Sequence, residues 1–287
     1  MSTLSGLLRE CTRRLSGMTD DPRFEAEQLI GAACGVTRQE LVMSPEREAS
    51  PEQAARLERC VSRRLSGEPL QYILGEWEFY GLPFYVGEGV LIPRQDTETL
   101  AELALEYAKA NCRSGFLAAD LCAGSGCIGI TLAKLAGVNV KLVELSDKAL
   151  FYLRRNIALN GAESLCEAVC ADVLAEDTAA GMPPLDLIVT NPPYLTAQDM
   201  RELQTEVRFE PETALFGGED GLDYYRAIID NFSSALRPGG YLCFEFGLGQ
   251  ENAVCALLLR GGYEIIETRK DTADITRAVL AQKREDG

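Results

Sequence analysis

A chain of 287 residues, 46% hydrophobic, can bury a sizeable core, and its length suits one large domain or a large one with a smaller companion. Its 28 basic and 44 acidic side chains leave a net charge of −16, which argues against a dedicated nucleic-acid binder and for a basic protein partner, plain solubility being the alternative. There is no histidine, so the usual general base and the Ser-His-Asp and Cys-His mechanisms are excluded together.

The N-terminal MSTLSGLLRECTRRL carries charges where a signal peptide keeps its apolar centre, and no apolar run approaches the ~18–20 residues of a membrane helix, so a cytoplasmic protein is expected. Leu4, Leu7, Leu8, Cys11 and Leu15 recur at helical spacing. A second helix is predicted over Phe24 to Cys34, and Thr37 with Glu40 forms a capping box. Ser50-Pro51-Glu52-Gln53 starts another helix, with Ser50 as N-cap and Pro51 at the first helical position; its apolar stripe is Leu57, Cys60, Val61 and Leu65. Residues 1–72 thus read as a small helical domain with nothing catalytic in it, and they are nearly neutral, with 10 basic and 11 acidic side chains against 18 and 33 in the rest.

Residues 73–95 turn aromatic, β-branched and glycine-punctuated, which predicts a β-hairpin linker. From residue 96 to 287 helical and strand patterns alternate, from the helix DTETLAELALEYAKA and the strand FLAADL to a helix near Asp220 to Leu236, the strand YLCFEF and two last strands near Glu264 and Ile275. Such alternation means an α/β domain whose mostly parallel sheet carries helices on both faces and binds ligands at the carboxyl ends of its strands. The ten cysteines contain no C-x-x-C pair and lack a histidine to complete a zinc set, so they read as reduced and mostly buried, and no metal is expected.

DLCAGSGCIG places Gly124, Gly126 and Gly129 between a strand and a helix, with Glu144 at the next strand end, where an acidic group can hold a ribose. A dinucleotide and S-adenosylmethionine both fit this turn, as does plain tight packing of strand on helix. Asp120, four residues before the first glycine, favours S-adenosylmethionine, because a carboxylate near the ligand repels a pyrophosphate and suits a cationic amino and sulfonium group. Asp172 at the third strand end would take an adenine amino group, with Val173 against the ring.

The fourth strand, LDLIVT, breaks at once into Asn191-Pro192-Pro193-Tyr194. The prolines fix φ and donate nothing, so the chain leaves the sheet as a stiff elbow with free carbonyls. The Asn191 side-chain oxygen and the Pro192 carbonyl form two acceptors for both hydrogens of one planar NH2, and Tyr194 can stack on the group that carries it. Holding such a nitrogen in line with a sulfonium methyl stabilises the charge that grows on its N–H during transfer, so positioning and electrostatics replace a base.

VTNPPY, DLCAGSGCIG and PLQYILGEWEFYGLPFYV…VLIPRQDTET, together with EPETALFGGEDGLDYYRAI, LRPGGYLCFEFGLGQ and KDTADITRAV, resemble the HemK/PrmC family, glutamine N5-methyltransferases acting on class 1 peptide-chain release factors. The resemblance implies a Rossmann-like class I S-adenosylmethionine-dependent fold, a seven-stranded mostly parallel sheet with its last strand antiparallel, behind an N-terminal bundle that helps to recognise the substrate. It implies methyl transfer to the glutamine of a Gly-Gly-Gln loop, leaving S-adenosylhomocysteine. Residue by residue, it makes Cys122, Ala123, Gly124, Ser125 and Gly126 the methionine-end loop, Glu144 the ribose ligand, Asp172 and Val173 the adenine pocket, and Asn191, Pro192, Pro193 and Tyr194 the glutamine clamp. Arg13, Arg14, Arg63 and Arg64 are candidate contacts, or simply a solvated face. Members often have Gly-Thr where this chain has Cys122-Ala123. The NPPY element alone is shared with methyltransferases of adenine in nucleic acid, which leaves that substrate, or a ribosomal-protein glutamine, as alternatives, and a nicotinamide-binding oxidoreductase as a distant one.

Overall fold

A computed structural model describes residues 3–284. Packing divides the chain into two compact units, one running to Glu76 and taking in Gln204–Phe209, the other comprising Trp77–Leu203 and the chain from Glu210 onward.

The first unit contains α1 (Leu4–Leu15), α2 (Pro22–Cys34), α3 (Arg38–Met43), α4 (Pro51–Leu65) and α5 (Leu70–Leu74). The capping boxes Thr37/Glu40 and Ser50/Gln53 are both formed, so the first orphan N–H groups of α3 and α4 are satisfied by the side chains that announce them in the sequence. Leu4, Leu15, Leu29, Ile30 and Val61 are buried between the helices. Arg64 corrects the expectation of a surface residue: it is 1% exposed and pairs with Glu25 at 2.6 Å and Glu206 at 2.6 Å. A guanidinium with two acidic partners can be buried where an unpaired one cannot. Arg14 and Arg63 are also engaged, with Glu58 and Glu68.

In the second unit the predicted hairpin is shorter than 73–95, with strands β1 (Glu76–Phe79) and β2 (Leu82–Tyr85). Tyr80 and Gly81 connect them with φ of 52° and 76°, the two left-handed residues of a tight turn whose twist matches the strands. There follow α6 (Thr97–Asn111), β3 (Leu117–Leu121), α7 (Cys127–Ala136), β4 (Asn139–Glu144), α8 (Asp147–Leu159), β5 (Cys166–Cys170), α9 (Glu176–Ala180), β6 (Leu185–Thr190), α10 (Ala197–Arg201), α11 (Asp223–Phe232), β7 (Leu236–Glu245), α12 (Glu251–Arg260), β8 (Tyr263–Lys270) and β9 (Thr276–Lys283). The helix expected to reach Leu236 stops at Phe232, because Leu236 already pairs with Leu185 as the start of β7.

Strands β3 to β9 form one seven-stranded sheet in the order β5-β4-β3-β6-β7-β9-β8, with β9 antiparallel to its neighbours and β3 to β7 mutually parallel. The chain winds outward from β3 to β5 and then returns to place β6 on the other side of β3, so the order reverses between β3 and β6. That reversal opens a crevice at the carboxyl ends of these strands. All ten cysteines are free; Cys11, Cys34, Cys127, Cys166 and Cys243 are buried, which is half rather than most of them. No helix among the described residues is long and apolar enough to cross a membrane.

Candidate active site

A cavity of about 350 Å³ lies at the strand reversal, within the size range of small-molecule sites. It collects the ends of four strands: Cys122 to Ser125 after β3, Glu144 on β4, Asp172 and Val173 after β5, and Asn191 with Pro193 after β6. Gly89 to Arg94 form another wall, to which Thr97, Thr213, Ala214 and Tyr224 contribute among others.

The turn after β3 is shaped by backbone conformations that few side chains tolerate. Cys122, Gly124 and Gly126 have φ of 59°, 55° and 82°. Cys122 has a Cβ, so its left-handed conformation costs about 1–2 kcal/mol that glycine would not incur. A Cβ on Gly126 would stand 2.4 Å from Leu153, so this glycine is demanded by close packing of the turn on α8. Glu144 braces the turn from the neighbouring strand: one carboxylate oxygen accepts Gly124 N–H at 2.8 Å and the other accepts Ser146 N–H at 2.8 Å. From α8, Asn156 donates to the Ser125 carbonyl at 2.9 Å and exchanges hydrogen bonds with the Tyr85 backbone, tying β2 to the same loop.

Asp120 departs from its expected place. It does not line the cavity; it is fully buried beneath the turn, where Oδ2 accepts Gly129 N–H at 2.8 Å and Oδ1 has no hydrogen-bond partner. Burial pushes its carboxyl up to about 7, with the Gly129 hydrogen bond opposing and the Glu144 charge adding to the rise. Gly126 likewise stands behind the wall, serving packing rather than contact.

Asn191 and Pro193 line the cavity; Pro192 and Tyr194 do not. The Asn191 side-chain nitrogen donates to Thr97 Oγ1 at 3.2 Å, which leaves Oδ1 as the atom free to accept. The Tyr194 ring lies against Gly247, where a Cβ would meet it at 3.0 Å, and burial pushes its hydroxyl well above the ordinary tyrosine range. The elbow itself is held through its backbone: Gln250 donates to the Tyr194 carbonyl at 3.0 Å, while Gly217 and Gly221 approach too closely for a Cβ, 2.5 Å from the Pro193 carbonyl and 2.3 Å from that of Tyr194.

Several participants escaped the sequence reading. Thr97 is buried at the start of α6 and receives the Asn191 amide; Glu210 accepts the Ile92 N–H at 3.0 Å and pairs with Arg94, fixing the wall before α6. Glu245, at the end of β7, is 3% exposed beside Asn191 and Thr97. A lone carboxylate between Phe244 and Phe246 in an otherwise apolar strand is a readable signal, since buried acids are rare unless they have work to do. Among the described residues no cluster of three metal-ligating side chains occurs.

The PrmC N-terminal domain model matches residues 6–75 and the methyltransferase small domain model matches residues 100–210. The release factor glutamine methyltransferase of Geobacter sulfurreducens is 41% identical over 91% of this chain and 89% of its own, and that of Moorella thermoacetica is 40% identical over 99% and 100%. The chain belongs to the release factor glutamine methyltransferase family. Membership agrees with the fold: a methyltransferase structure from Pyrococcus furiosus superposes with a TM-score of 0.51 at 16% identity, covering 80% of this chain and 99% of that one. The strand-end residues of the cavity from Cys122 to Pro193 lie within the stretch matched by the methyltransferase small domain model, whereas Gly89 to Arg94, Thr97, Thr213, Ala214 and Tyr224 lie outside it.

Proposed function

We propose that this chain transfers a methyl group from S-adenosylmethionine to the side-chain amide nitrogen of the glutamine in the Gly-Gly-Gln loop of class 1 release factors. The observation that carries the reading is that one cavity contains both a nucleoside-type turn with two strand-end carboxylates and the Asn191 amide. Cys122 to Ser125 would cradle the methionine end, with Gly126 shaping the turn from behind, Glu144 would hold the ribose, and Asp172 with Val173 the adenine. Glu144 now braces the turn through two backbone N–H groups, an arrangement that also aims its carboxylate at the cavity wall. The unpartnered Oδ1 of Asp120 beneath the turn supplies negative potential under the expected position of the cationic amino group, acting through the floor rather than by contact.

The donor supplies an electrophilic methyl carbon on a positively charged sulfur. Asn191 Oδ1, in the cavity wall, accepts one hydrogen of the glutamine NH2, and the Pro192 carbonyl, which stands behind that wall, would accept the other once the side chain enters the elbow, turning the nitrogen's lone pair toward that carbon. As the N–C bond forms and the S–C bond breaks, positive charge moves from sulfur to nitrogen, and both acceptors bind the charged nitrogen more strongly than the neutral one. The nitrogen then loses a proton to water. No imidazole is required. The elbow's backbone braces, Gln250 and the close glycines, hold the Pro193 and Tyr194 carbonyls that follow the clamp.

The helical domain over residues 1–72 would recognise the release factor, and the acidic remainder of the chain, with 18 basic and 33 acidic side chains, suits a basic protein better than a nucleic acid. Incubation with labelled S-adenosylmethionine and, separately, release factor, ribosomes and DNA tests the reading. Label in the release factor alone, mapped by peptide mass to the Gly-Gly-Gln glutamine, is expected; label in DNA or a ribosomal protein, with none in the release factor, overturns it.

A further inference from the structure

The parallel register of β6 with β7 pairs Thr190 with Phe244, so the next residues on each strand, Asn191 and Glu245, leave the sheet side by side and on the same face. Thr97, at the start of α6, packs over both. Glu245 lies beneath the Asn191 amide with its Oε2 unpartnered, outside the cavity and out of reach of substrate or cofactor.

Resting on the clamp reading above, we propose that Glu245 is a positioning residue that fixes the Asn191 side-chain amide with its nitrogen toward the sheet and its oxygen toward the substrate nitrogen. A primary amide fits its space almost equally well in two orientations, and only the groups around it choose between them. An ionised carboxylate has acceptors and no donor, so it attracts the Asn191 NH2 and repels Oδ1. Thr97 alone does not decide, because a hydroxyl both donates and accepts. With the nitrogen committed to Thr97 and Glu245, Oδ1 must face the cavity, as the clamp requires.

Protonation of Glu245 removes the preference, since a carboxylic acid can donate to Oδ1 and hold the amide in the inactive orientation. Burial raises the Glu245 carboxyl to about 7; the hydrogen bond from Thr97 and the charge of Arg277 oppose that rise, Asp96 adds to it, and the Asn191 hydrogen bond opposes it. Arg277, from β9, is shared between Asp271 at 2.9 Å and Asp96 at 3.4 Å. Tyr194 on the elbow, Tyr225 on α11 and Cys127 on α7 also face Glu245, and each stays protonated because burial pushes it up. The orientation of the clamp, and with it the rate, therefore follows the charge on Glu245.

The test is the single-turnover rate of methyl transfer to release factor at saturating S-adenosylmethionine, measured from pH 5.5 to 9 for the native enzyme and for Glu245→Gln, Glu245→Ala and Asn191→Ala, with cofactor affinity by calorimetry. The native rate is expected to rise with pH through a midpoint near 7. Glu245→Gln, which keeps the volume but also carries a donor, should be about 10-fold slower at pH 8.5 and flat with pH, and Glu245→Ala about 100-fold slower, with cofactor Kd within about 3-fold in both. An acidic limb that survives intact in Glu245→Gln, an Ala variant within about 3-fold of native, or loss of cofactor binding in Glu245→Gln, which would mark a merely structural group, overturns the proposal. If Asn191→Ala is inactive while the Glu245 variants behave as native, the clamp stands and only this inference falls; if Asn191→Ala is fully active, the clamp reading falls first.

Discussion

Asp120→Asn should make the protein more stable at neutral pH and a poorer binder of its cofactor. The Asp120 carboxyl ordinarily titrates near 3.8 and in the folded chain near 7, chiefly because it is buried. Between about pH 4 and 7 the folded state therefore holds a proton that the unfolded state has lost, so this group's contribution to stability falls as pH rises through that window. At pH 8 the full penalty is present, about 4 kcal/mol at roughly 1.4 kcal/mol for each pH unit of difference. Asparagine keeps an oxygen for the Gly129 N–H and removes the charge, but leaves an amide NH2 where Oδ1 now has no partner, which costs about 1–2 kcal/mol. The net gain should be about 2–3 kcal/mol at pH 8 and should shrink toward zero or reverse by about pH 4. Urea unfolding of the cofactor-free protein at pH 8, 6 and 4.5 measures it, and calorimetry should show cofactor affinity weakened by roughly tenfold or more as the negative potential under the turn is lost. A variant no more stable than native at pH 8, or equally changed at all three pH values, would refute a buried, unpaired carboxylate at this position.

Two further outcomes are expected. Arg64→Ala strips Glu25 and Glu206 of their shared cation and should cost about 3–5 kcal/mol, read as a lower urea midpoint for the helical unit, whereas a loss below 1 kcal/mol would show that the triad contributes nothing. Gly221→Ala puts a Cβ 2.3 Å from the Tyr194 carbonyl at a φ of 72°; the elbow must shift, and the single-turnover rate should drop by about 100-fold with cofactor affinity little changed, native-like turnover being the contrary result.

The fold was legible where sequence pattern and local chemistry agree. The capping boxes at Thr37 and Ser50, the strand-to-helix glycine turn and the break after LDLIVT each announce their structure through a residue whose physics leaves few alternatives. Residues set by tertiary contact were not legible. Arg64 reads as one more exposed arginine on α4, and nothing nearby in sequence reveals Glu206 from 142 residues away. The short distance along the chain from Gly124 suggests that Asp120 meets the ligand; its actual position follows from the pleat, which points it beneath α7 toward Gly129. Tyr194 was expected to stack on the substrate, yet the close approach of Gly247 folds its ring back against the loop after β7. Cys122 could have been flagged as strained from the glycine common at that place in relatives, and its φ of 59° is the conformation that glycine would take freely.

The proposed transfer requires the Asn191 amide to act in the reaction step itself. Rapid-mixing single turnover with release factor in excess, paired with calorimetric cofactor binding, separates the two roles for Asn191→Ala. The expected result is a rate lowered by about 10³-fold or more with cofactor Kd within about 3-fold of native. A variant that transfers methyl at the native rate, or one whose slow turnover is wholly restored by more cofactor, would contradict the clamp.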